Sequence, residues 1–100
     1  MSIAREWLEG RLEGAPPALV GTMMGALPAA APTVADALVA GAVELYARVA
    51  RSSGGREDAL PLLAADALFT HAFEAQAEVD PSAIPALADR CARALGAVLA

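Results

Sequence analysis

Asp58–Val79, DALPLLAADALFTHAFEAQAEV, is the stretch that decides the fold class. It holds both phenylalanines and the only histidine, and beyond Pro61 nothing in it interrupts a helix. At 100° per residue, Leu62, Ala65, Leu68, Phe69, Ala72, Phe73 and Ala75 cover about half of the helix circumference. Asp66, Thr70, Glu74 and Glu78 recur every fourth residue on the other side, a stripe of the kind that faces water. Leu60, Leu63 and Ala67 form a smaller apolar edge beside that stripe. So wide an apolar arc calls for neighbours on more than one side, which puts this helix, residues 58–79, at the centre of a bundle.

Working outward, Ser52-Ser-Gly-Gly55 is the clearest loop in the chain. It joins residues 58–79 to a preceding helix over 34–51 as an antiparallel hairpin, a connection of the length usual in bundles. Thr33-Val-Ala-Asp36 opens that helix in the manner of a capping box, with Asp where Glu is preferred. Val34, Leu38, Ala42, Leu45 and Val49 form its stripe, widened by Val39, Val43 and Tyr46, and Glu44–Arg48 is ordered for an i,i+4 pair. On the other side, Asp80-Pro81-Ser82 ends the long helix and caps a last one over 83–99. Its apolar positions are Ile84, Leu87, Ala88, Cys91, Leu95, Val98 and Leu99, with Asp89, Arg90 and Arg93 opposite.

The first third is less regular. Ser2 is an N-cap for a helix over 3–13, with Ile3, Trp7, Leu8 and Leu12 on its apolar side. Gly14 and Pro16-Pro17 separate it from a second helix over 17–27. That helix places Leu19, Val20, Met23, Met24 and Leu27 on one stripe. Its two Met and two Gly make it adaptable, because Met fills irregular gaps and each Gly weakens a helix by ~1 kcal/mol. No strand-like alternation occurs. The expected fold is all-α, a small antiparallel bundle of four to five helices forming one domain over 1–100.

Composition limits what such a bundle does. Of the 57% apolar residues, 27 are alanine. A buried Ala contributes one methyl, whereas Leu or Phe contributes roughly 1.5–3 kcal/mol on full burial. The core is therefore light, and self-association would bury area that a monomer cannot. The mean hydropathy is positive, yet the longest uncharged run, residues 14–35, is broken by Pro16, Pro17, Pro28 and Pro32, which does not suit a membrane span. The opening residues carry charges every two or three positions, unlike the apolar core of a secretory signal. Net charge is −5 and all seven basic residues are Arg, with no basic stripe for nucleic acid or anionic lipid. Cys91, a lone thiol, fits a reducing cytoplasm.

Candidate chemistry is sparse. His71, Glu74 and Glu78 lie at i, i+3 and i+7 and are the weak metal-ligand candidates, although bundle sites of the carboxylate type draw ligands from several helices. Cys91 falls on an apolar stripe, where a thiol behaves as a small hydrophobe. SSGGR lacks the Lys and the spacing of a phosphate-binding loop. No catalytic constellation and no cofactor site is read from the residues.

Two likenesses, one internal and one to a known family, add little. Residues 35–47, ADALVAGAVELYA, and 65–77, ADALFTHAFEAQA, agree at seven of thirteen positions, most of them Ala. Residues 62–74, LLAADALFTHAFE, resemble one helix of the all-α polyprenyl diphosphate synthases. That family holds magnesium and diphosphate with two aspartate-rich motifs, which this chain lacks, so the resemblance implies no residue role here.

The expectation is a non-catalytic protein that acts through protein–protein contacts, as a homo-oligomer or an accessory subunit of an unidentified protein. Trp7, Met23, Met24, Phe69 and Phe73 are the candidate contact residues. The alternative is a binding module for a hydrophobic small molecule, its pocket lined by Phe69, Phe73 and one of the two methionines.

Overall fold

Ser2 accepts a hydrogen bond from the Arg5 N–H at 3.3 Å and starts α1, Ile3–Glu9. The computed structural model describes residues 2–100. The expected continuation of α1 to residue 13 does not occur. Gly10 caps the helix, and short turns carry the chain through Leu12 and Ala15, with Gly14 at φ 83°. Leu12 still packs against the core, so a turn satisfies the apolar spacing that suggested more helix.

Pro17 begins α2, Pro17–Ala26. It ends one residue before its expected limit because Leu27 precedes Pro28 and adopts ψ 136°, the extended conformation that a following proline favours. In α3, Val34–Ala50, the Thr33 hydroxyl accepts from the Asp36 N–H and donates to Asp36 Oδ2, both at 3.0 Å. The shorter Asp thus folds back on the cap's hydroxyl, a variant of the capping box. A 3₁₀ turn, Arg56–Asp58, leads into α4, Ala59–Val79, with Pro61 in its first turn. Asp80 then accepts from the Ser82 N–H and hydroxyl, opening a second 3₁₀ turn, Pro81–Ala83, ahead of α5, Ile84–Leu99. All five helices are present, and no strand occurs among the described residues.

As α3 advances from Gly41 to Tyr46, its partner on α4 falls back from Leu68 to Asp66, so the two helices run antiparallel. The centre is shared between them: α3 packs against each of the other four helices, and α4 against α2, α3 and α5. Gly41 lies at a tight contact with α4 and the end of α2. A Cβ there would lie 3.2 Å from Leu68 Cδ1 and 3.3 Å from the Ala26 carbonyl. Leu8, Met23, Leu38, Leu45, Leu68 and Leu87 are the large, fully enclosed side chains. Alanines such as Ala42, Ala64, Ala65 and Ala72 fill the remaining interior, which is therefore thin in large apolar groups.

Four apolar assignments shift, and two of them, Ile3 and Leu99 at the ends of α1 and α5, are 76% and 72% exposed. Leu62 was placed on the inward arc of α4 but is 39% exposed. On the helix it shares a side with Phe69 and Phe73, which are themselves only half-buried, so it sits at the edge of the buried arc. Ala88 is also exposed, because α5 is an outer helix whose buried line is only Leu87 and Cys91. No described helix is long and apolar enough to cross a membrane.

Candidate functional site

The densest arrangement of polar and aromatic side chains forms where α1 meets the C-terminal half of α4. The Trp7 indole N–H donates to Glu78 Oε1 at 3.0 Å. Arg11, in the turn after α1, pairs with Glu78 Oε2 and lays its guanidinium 3.7 Å from the centroid of the Trp7 ring. His71, about two turns before Glu78, meets the indole edge-on at a ring separation of 6.2 Å and 77°. These hydrogen bonds to Arg11 and Trp7 hold the Glu78 carboxyl below the usual glutamate range. Charge-assisted hydrogen bonds favour the ionised acceptor.

The three metal candidates are thereby separated in role. Glu78 is engaged by Arg11 and Trp7. His71 Nδ1 lies 3.3 Å from Glu74 Oε1 but off hydrogen-bond alignment, so this enclosed nitrogen has no partner. Among the described residues no group of three His, Cys, Asp or Glu side chains comes together as a metal set.

Trp7 is half-buried and turned onto α4. Met23 and Met24 are core residues, 0% and 7% exposed, and Phe69 and Phe73 are half-buried against that core. Phe69 also carries the Tyr46 ring at 5.8 Å, and the Tyr46 hydroxyl donates to Asp66 at 3.3 Å. Partial burial and the neighbouring Asp66 carboxylate raise the Tyr46 pKa. Burial likewise raises that of the Cys91 thiol, with a smaller opposing effect from Arg90, so Cys91 stays a protonated, inert core group.

Open concave surface lies elsewhere. A cleft of about 400 Å³ sits between the first turn of α1 (Ser2, Ile3, Ala4), the 28–33 connector and the start of α3 (Val34, Ala37). Its walls are largely apolar, and Pro28 and Pro32 stiffen one side of it. A shallower groove of about 440 Å³ runs between α3 and α5 over Val39, Val43, Ala47 and Ala94. At its rim Arg90 bonds Asp36 at 3.2 Å, tying α5 to the head of α3. A third feature is convex. Leu60, Leu62 and Leu63, at the head of α4, are 36%, 39% and 55% exposed.

The sequence did not indicate the Trp7–Arg11–Glu78 cluster or the cleft. Glu78 is the last member of a solvent-facing stripe, and nothing local pairs it with residues 67 and 71 positions away. The cleft joins two segments that read separately as a helix start and a connector. Comparison of the chain with protein families, characterised proteins and solved structures finds no match to any of them.

Proposed function

We propose that this protein is a non-catalytic helical bundle that works through protein–protein contacts, with self-association as its first form and an accessory role beside another protein as its second. The observation that carries the reading is the pair Leu60 and Leu63, neighbours at i and i+3 left 36% and 55% exposed at the head of α4, with Leu62 further round the same turn at 39%. Single exposed apolar side chains are ordinary, but grouped ones mark contact surface. Covering them adds stabilisation that the alanine-rich interior does not supply. A cytoplasmic setting goes with this reading, since the one cysteine is unpaired and buried. Nucleic acid and membrane surfaces are not among the proposed partners: three of the seven Arg, at positions 11, 48 and 90, already face carboxylates.

A second reading, a binding module for a small hydrophobic molecule, is favoured by the cleft beside α1. Its volume of about 400 Å³ lies in the range of ligand pockets. Its walls are Ile3, Pro28, Pro32 and Val34, away from the Phe69, Phe73 and methionine lining expected from the sequence. Native mass spectrometry of gently purified protein tests both readings. A clean multiple of the chain mass supports the first, a monomer with a small added mass supports the second, and a bare monomer counts against self-association and cargo alike.

A further inference from the structure

The first segment is attached differently from the rest of the bundle. Helix α1 has seven residues, too few to persist on its own in water. Only Ala4 and Leu8 of it are buried. Its polar ties to the body are the Trp7–Glu78 bond at 3.0 Å, the Arg11–Glu78 pair and a long Arg5–Met24 carbonyl contact at 3.5 Å. Two of these three converge on one exposed carboxylate. Behind it, residues 13, 14 and 16–18 are exposed, and Gly14 at φ 83° has no heavy atom near its Cβ position. Leu38, Leu45, Leu68 and Leu87 of the core belong to α3, α4 and α5, which pack against one another without α1.

The same segment walls the cleft. Ser2, Ile3 and Ala4 form one side of it, and residues 28–34 and Ala37 form the others. Lifting α1 away would turn the cleft into an open apolar face on α3 and uncover the site of Leu8.

We propose that residues 2–12 are a strap that swings off the bundle as a unit while α2–α5 stay folded, and that the clasp of Trp7 and Arg11 on Glu78 holds it in place as one wall of the cleft. Local openings of this kind come from segments with few buried contacts and exposed hydrogen bonds. The clasp couples the presence of that wall to ionic strength, because an exposed ion pair weakens as salt rises. This inference does not depend on self-association.

Amide hydrogen exchange read by mass spectrometry, on wild type and on Glu78→Gln, tests it. Each protein is measured at two concentrations, so that protection gained between copies separates from protection by the clasp. In the wild type, amides of residues 5–12 should exchange at least about tenfold faster than those at the centres of α3 and α4. Glu78→Gln should accelerate residues 5–12 by a further factor of about two to five and leave the α3 and α4 centres unchanged. Added salt should move the wild type towards the variant and leave the variant itself nearly unmoved. Exchange of residues 5–12 at the rate of the α3 and α4 centres would overturn the strap. A Glu78→Gln profile identical to wild type, or accelerated equally everywhere, would overturn the clasp.

Discussion

Trp7 and Glu78, 71 positions apart, share a 3.0 Å hydrogen bond that ties the first helix to the end of the longest one. Arg11 completes the arrangement from the other carboxylate oxygen. Because Trp7 is the only tryptophan, its emission reports on this junction alone.

Acid should loosen that junction. Glu78 has a folded-state pKa below its ordinary value, owing to the hydrogen bonds from Arg11 and Trp7. A depressed carboxylate contributes stability that is complete above the unfolded-state pKa and is lost as pH falls through the folded one. Trp7 emission should therefore show a step below the ordinary glutamate range. In Glu78→Gln the low-pH step at Trp7 should be absent. A titration of Trp7 that persists in the variant would assign it to another group.

Gly41 provides a test of helix spacing. An added Cβ would press on Leu68 Cδ1 and on the Ala26 backbone carbonyl. Ala for Gly in a helix ordinarily gains about 1 kcal/mol, whereas overfilling a packed contact costs typically about 1–3 kcal/mol. The backbone atom cannot rotate aside, so Gly41→Ala should be destabilised by about 1 kcal/mol in urea unfolding. A stabilised Gly41→Ala would mean that α2 and α3 stand further apart than described.

Leu68 and Leu63 occupy the same helix and differ in surroundings, 0% against 55% exposed. Leu68→Ala should cost about 2–5 kcal/mol, as buried leucine truncations do. Leu63→Ala in dilute monomer should stay within about 0.5 kcal/mol. Equal losses would contradict the placement of the head of α4 at the surface.

What the sequence reveals of this fold follows from the range of its signals. Helix periodicity, the Thr33 cap, the Ser52–Gly55 loop and the Asp80–Ser82 stop are local, and every helix but α1 falls where they point, within a residue or two. The extension of α1 past Gly10 fails because spacing at Leu12 says only that a side chain turns inward, and a turn does that as well as a helix. Leu62 fails because a helical wheel shows which residues share a side but not where the buried arc stops, and its neighbours on that side, Phe69 and Phe73, are only half-buried. The clasp and the cleft are non-local, and a single stretch of residues carries no trace of either. A stripe of polar residues such as Asp66 to Glu78 looks the same whether its last member meets water or Arg11.

Sedimentation equilibrium of the wild type beside a Leu60→Ser, Leu63→Ser double variant addresses the proposed role most directly. Both positions are exposed, so the substitutions should leave the fold intact, as far-ultraviolet circular dichroism would verify. The wild type should show an average mass above that of one chain, falling on dilution, and the variant should stay at one chain under the same conditions. A wild type that holds the mass of one chain at every concentration would contradict self-association through the head of α4.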